Sequence, residues 1–148
     1  MRDLKSFKIR LKNKILDYRE GENLDLDQVK DFFSKKYQIE KIWEHPRHIL
    51  GVLVDNNQKY FLKLSTSKGI GLITQNEYNW NDYFNKFNSD KKFLTPQNYD
   101  SGPYENKYFY LITDYFKGDL LCNVNSNQSE TARLIKFIPQ IINLSKVI

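Results

Sequence analysis

Lys59-Tyr60-Phe61-Leu62-Lys63-Leu64 reads as a β-strand that carries an ammonium on a half-buried face. Side chains alternate along a strand, so Tyr60, Leu62 and Leu64 share one face and Phe61 and Lys63 the other. A cation beside Phe61 loses part of its hydration and calls for an anion. Three readings stand open at this point. The lysine can snorkel back to water from a strand end. A carboxylate from the following helix can meet it, and Glu77 is in position. A ligand phosphate can meet it instead.

The flanking segments place this strand in a meander. Asp55-Asn56-Asn57-Gln58 is a hairpin turn, and Ile49–Val54 before it has the two-residue period of a strand. His45-Pro46-Arg47 interrupts the pattern, since Pro46 has no N–H to give a ladder. Ile39–Trp43 is a further strand. Downstream, Ser65–Gly71 is a polar loop with two glycines, followed by a helix over Leu72–Phe87. Ile73, Trp80, Phe84 and Phe87 recur at helical steps and predict its buried stripe, with Glu77 on the same face. Gln97–Asp100 reads as a short strand and Ser101–Asn106 as a turn. Tyr108–Phe116 is the most apolar run of the chain, which suits a central strand covered on both faces. The fold class this predicts is α+β: a five-stranded antiparallel sheet with a packed helix.

The ends of the chain read as helical. Leu4, Phe7, Leu11, Ile15 and Tyr18 are spaced by threes and fours, which predicts a basic amphipathic helix over residues 2–18, stopped by Gly21. Leu24–Tyr37 is a second helix, capped by Asn23 or Asp25. Ser129 or Thr131 opens a last helix, and Pro139 kinks or ends it. Ile138, Ile141, Ile142, Leu144, Val147 and Ile148 follow, an apolar tail that would be sticky if exposed. The segments expected are a basic amphipathic helix (1–22), a sheet lobe (23–121), and a linker with a C-terminal helix (122–148).

Composition bounds the function. The 148 residues suffice for one domain with a core, and aromatics at 15% supply it. Cys122 is the sole cysteine, which excludes an internal disulfide and a multi-cysteine zinc site and suits a reducing, cytoplasmic setting. No apolar run reaches the length of a membrane span. The net charge of +5 lies in residues 1–14, where six basic side chains face only Asp3. The remainder is neutral. A basic arm without interleaved aromatics is a poor nucleic-acid surface, so a small nucleic-acid-binding protein stays a minor alternative.

The order helix, meander with an inward lysine, helix with an inward glutamate, then a further strand pair resembles the N-terminal lobe of a protein-kinase-like fold. More narrowly, it resembles the aminoglycoside phosphotransferase and choline kinase-like family. The matching segments are Phe61-Leu62-Lys63-Leu64, Gln75-Asn76-Glu77-Tyr78 and Leu111-Ile112-Thr113-Asp114-Tyr115-Phe116-Lys117-Gly118, within residues 24–136. The resemblance implies a nucleotide-binding lobe that takes ATP, or another nucleoside triphosphate, with Mg when a second lobe is present. It implies that Lys63 contacts the α- and β-phosphates and pairs with Glu77. It implies that Asp114 and Phe116 offer backbone groups to the base, and that Ile112 or Thr113 borders the back of the pocket. The Lys63–Glu77 contact is expected at hydrogen-bond range in a nucleotide-competent lobe, with a wider gap where the helix swings out.

Two departures qualify the resemblance. Glu44-His45-Pro46-Arg47-His48 occupies the place of a phosphate-covering loop, with no glycine before Gly51. His45 and His48 lack the paired carboxylates of a metal site. The family's second lobe carries a His-x-Asp segment and a metal-binding Asp. No His-x-Asp occurs here, and 30 residues follow Gly118. The expectation is a lobe with no catalytic residue, inactive by itself, whose partner is a second-lobe chain or another copy meeting residues 138–148. The alternative is a non-catalytic protein-binding module on the same lobe.

Overall fold

The computed structural model describes residues 21–88 and 95–117, and the backbone of residues 8–11 and 14–17. The chain divides into two units, Met1–Phe116 and Lys117–Ile148. Only Lys117 of the second unit is described. The expected linker, C-terminal helix and apolar tail over 122–148 lie outside the described residues.

The helix predicted over residues 2–18 is not what forms where that stretch is described. Strands β1 (Lys8–Leu11) and β2 (Lys14–Asp17) pair antiparallel, with Leu11 opposite Lys14. Ile9 and Leu11 alternate with Lys8 and Arg10, so the segment also fits the two-residue period. Short apolar runs are ambiguous between the two templates, and pairing with a neighbouring strand decided this one.

Helix α1 (Leu26–Ser34) starts at Asp25, whose carboxylate accepts the amides of Asp27 at 2.8 Å and Gln28 at 3.4 Å. Asp25, and not Asn23, is therefore the cap. Strands β3 (Gln38–His45), β4 (His48–Asp55) and β5 (Gln58–Ser65) form the predicted meander. Asn56 and Asn57 take φ of 48° and 64°, which gives β4 and β5 the two-residue turn whose twist matches the strands. Helix α2 (Lys68–Phe87) follows, then β6 (Asn98–Tyr104) and β7 (Tyr108–Asp114).

The five strands β3 to β7 make one antiparallel sheet in the order β3-β4-β5-β7-β6. The fold is α+β, an open sheet with α1 on one face and α2 on the other. On the α1 face, Val29, Phe33 and Tyr37 pack with Ile49, Leu53, Leu62, Leu64, Tyr104, Tyr108 and Ile112. On the opposite face α2 lies against β5, β7 and β6.

Several boundaries differ from the sequence reading: α1 covers Leu26–Ser34 and not Leu24–Tyr37, β7 stops at Asp114 and not at Phe116, and two further shifts have identifiable reasons. β6 runs on through Ser101-Gly102-Pro103-Tyr104, read above as a turn. It is an edge strand, where a proline costs no ladder bond. A side chain at Gly102 would meet the Tyr110 ring at 3.3 Å, so the glycine admits that ring. α2 begins at Lys68, four residues before the expected start, capped by the Ser67 hydroxyl on the Ile70 amide at 3.3 Å. Gly71 suggests a loop in the sequence. Here it brings the first turn of the helix against Ser65 and Phe109, where a Cβ would lie 3.2 Å from the Ser65 hydroxyl.

Candidate functional site

The face of the sheet that carries Lys63 follows from register. Lys63 lies opposite Leu50 of β4 and Leu111 of β7, and Leu50 lies opposite Trp43 of β3. Phe61, His48 and Thr113 stand on the same face by the strand period. Trp43 and Phe61 approach with ring centroids 6.3 Å apart, and the Lys41 ammonium sits 5.0 Å from the Trp43 ring centre. α2 crosses the β5–β7–β6 part of this face. Its glutamate meets the lysine there.

The Lys63 ammonium donates to both carboxylate oxygens of Glu77, at 2.7 Å to Oε1 and 2.6 Å to Oε2. The side chains retain 28% and 36% of their exposure. The pair is thus partly hydrated, and each group is matched by the other as the sequence predicts. The helix is seated, without the wider gap of a helix swung out.

A second contact lies one helical turn before Glu77. Thr74 is fully buried, and its hydroxyl donates to the Ile70 carbonyl at 3.0 Å. That uses its only proton. The His48 Nε2 at 3.2 Å from the same oxygen must then be the donor, which assigns the Nε2–H tautomer. Burial, and then the charges of Lys63, His45 and Arg47, press the imidazole pKa down to about 4. His48 is therefore neutral at physiological pH. The sequence marked it only as an improbable metal ligand. Among the described residues, no group of three or more His, Cys, Asp or Glu stands together to hold a metal ion.

The far half of α2 is tied by amides. Asn98 Nδ2 donates to the Tyr78 carbonyl at 2.8 Å and to Asp82 at 2.9 Å, while its oxygen accepts from Asn81 at 2.9 Å. Asn85 donates to the Pro96 carbonyl at 2.8 Å and accepts from Thr95. These bonds roll the helix away from the predicted orientation. Its inward residues are Ile70, Gly71, Thr74, Asn81 and Asn85, with Glu77 at the margin. Of the predicted stripe, Ile73, Trp80 and Phe87 are exposed, Phe87 at 65%, and Phe84 is half-buried.

The remaining predicted site residues separate. Thr113 is on the Lys63 face and buried. Ile112 points the other way, into the core with Leu62 and Val29, so it does not border this face. Leu111 takes that place, as the two-residue step from Thr113 already indicates. The Asp114 amide donates to the Gln97 carbonyl at 3.2 Å, and the Asp114 carboxylate accepts the Gln97 amide at 2.9 Å. The Asp114 N–H is thus engaged within the chain. Phe116, beyond the end of β7, is exposed. The Pro46-Arg47 turn joins β3 to β4 in two residues, and the Arg47 carbonyl accepts both the amide and the hydroxyl of Thr66. No family model, curated protein or solved structure matches the chain.

Proposed function

We propose that residues 23–121 form a nucleotide-binding lobe of the kind found in small-molecule phosphotransferases of the aminoglycoside phosphotransferase-like family. The observation that carries this reading is the Lys63–Glu77 pair. It joins a central strand to the helix packed on that strand and leaves a partly hydrated ammonium beside Leu50, Phe61 and Leu111. In this reading Glu77 orients Lys63, and Lys63 meets the α- and β-phosphates of ATP. Phe61 and Trp43 offer flat apolar surface to the base. Leu111 and Thr113 border the back of the site, and Phe116 supplies backbone groups beside it. Pro46 has no N–H, so side-chain cations and not a cradle of amides would hold the phosphates over the β3–β4 turn. No catalytic role is assigned to any residue. Turnover, with Mg, would need an aspartate base and a metal-binding Asp that these 148 residues do not present as a His-x-Asp segment. The test is equilibrium binding of a non-hydrolysable ATP analogue to the full chain. Lys63→Met should abolish it while circular dichroism stays unchanged. No saturable binding by the wild type would overturn the reading.

A second reading, a non-catalytic protein-binding module on this lobe, is favoured by one observation. Trp80, Tyr83 and Phe87 form an exposed row on α2, with ring centroids 6.2 and 4.7 Å apart. Aromatic rows of this kind are enriched at interfaces. Under this reading the ATP analogue fails to bind, and changing Trp80 and Phe87 to Gln improves solubility.

A further inference from the structure

We infer that His48 is a positioning residue: through Thr74 it latches the first half of α2 to β4 and thereby sets Glu77 on Lys63. For nucleotide affinity the inference rests on the binding reading above. For the geometry of the pair it stands alone.

Two side-chain bonds tie the Lys68–Tyr78 half of the helix to the meander among the described residues. They are His48–Thr74 and Lys63–Glu77, three residues apart on α2 and on adjacent strands. The other half is held elsewhere, by Asn98, Pro96 and Thr95. The near end is joined to β5 through Thr66 and Ser67 and seated by Ile70 and Gly71, so the pivot left is a small one of the Thr74–Glu77 turn. Against a pivot, Lys63–Glu77 is a weak stop, because both side chains are long, rotamer-rich and partly hydrated. The His48–Thr74 contact is a short side chain on a fully buried β-branched one, so it tolerates little displacement. Thr74 has no spare proton, and His48 supplies the one its lone pair takes. Lose that bond, and the turn that carries Glu77 is left to the packing of Ile70 and Gly71 and to the mobile pair itself.

The test is residue-resolved amide hydrogen exchange on the full chain, with four variants. His48→Leu and Thr74→Val remove the bond. His48→Gln and Thr74→Ser keep a donor and an acceptor at similar reach. Expected for the first two is a rise of about tenfold in exchange at Thr74–Tyr78 over residues 81–87. The second two should stay within about threefold of wild type. Uniform acceleration of the whole helix, or none, would mean that His48 is only packing, and the latch is overturned. So too if His48→Gln behaves like His48→Leu. A parallel titration with the ATP analogue separates the two claims. With the latch and the binding reading both correct, His48→Leu and Thr74→Val each weaken binding about five- to tenfold, and the double variant no further. No nucleotide binding by the wild type, with the local exchange pattern present in His48→Leu and Thr74→Val, sinks the binding reading and leaves the latch established.

Discussion

Both carboxylate oxygens of Glu77 lie on the Lys63 ammonium, at 2.7 and 2.6 Å, across a sequence separation of 14 residues. The exposure of the pair places it between two regimes. A surface pair contributes about 0–1 kcal/mol, and breaking a buried one costs about 3–5. Glu77→Ala should therefore destabilise by about 1–2 kcal/mol in urea denaturation. The double change Lys63→Met with Glu77→Leu should recover most of that. Unchanged midpoints in both single variants would mean that the pair contributes nothing.

His48 makes stability depend on acid. The folded protein holds the imidazole neutral down to about pH 4, against an ordinary value of 6.5. Above 6.5 neither folded nor unfolded chain binds the proton, and the site has no pH dependence. As pH falls below 6.5 the unfolded chain takes the proton first, so stability declines until about pH 4 and then levels. Glu22 and Asp27 also weaken the fold in acid, since hydrogen bonds from Lys107 and Lys30 hold their carboxyls below the usual range. The difference between wild type and His48→Gln over pH 4–7 isolates the histidine. Parallel curves would contradict the assignment.

Gly51 lies in the middle of β4, where a Cβ would meet Ile42 at 3.0 Å and the Lys41 carbonyl at 3.2 Å. The backbone oxygen has no rotamer by which to yield. Gly51→Ala should cost about 1–3 kcal/mol as overpacking. Thermal unfolding of the variant checks it, and a stabilised protein would show that β3 can move aside.

The orientation of α2 predicts an inverted sensitivity to substitution. Trp80→Gln and Phe87→Gln, at exposed positions, should shift stability by no more than about 0.5 kcal/mol. Ile70→Ala, at a fully buried one, should cost about 2–5. Denaturant midpoints ranked the other way would restore the aromatic stripe as the buried face.

The sequence by itself determined the elements whose signals are local. Alternation marked β3, β4 and β5, a continuous apolar run marked β7, Asn56-Asn57 marked the turn, and the strand period put Lys63 apart from Leu62 and Leu64. Lys63 and Glu77 were legible as a pair because each sits on a periodic segment and only a short loop divides them. The same period sets Leu111 and Thr113 on one face of β7 and Ile112 on the other, but the pairing of β5 with β7 decides which face meets Lys63. Tertiary structure decided what depends on distant neighbours. Hydropathy favours the row of Ile73, Trp80 and Phe87 as the buried face of α2, but burial follows satisfied bonding as well as apolar area. Asn81 and Asn85 turn inward because Asn98, Thr95 and Pro96 receive them, 10 to 17 residues along the chain. His48 acquired its role in the same way, from a threonine 26 residues on whose proton was already committed. No local pattern carries that information, because it exists only once helix and sheet have met.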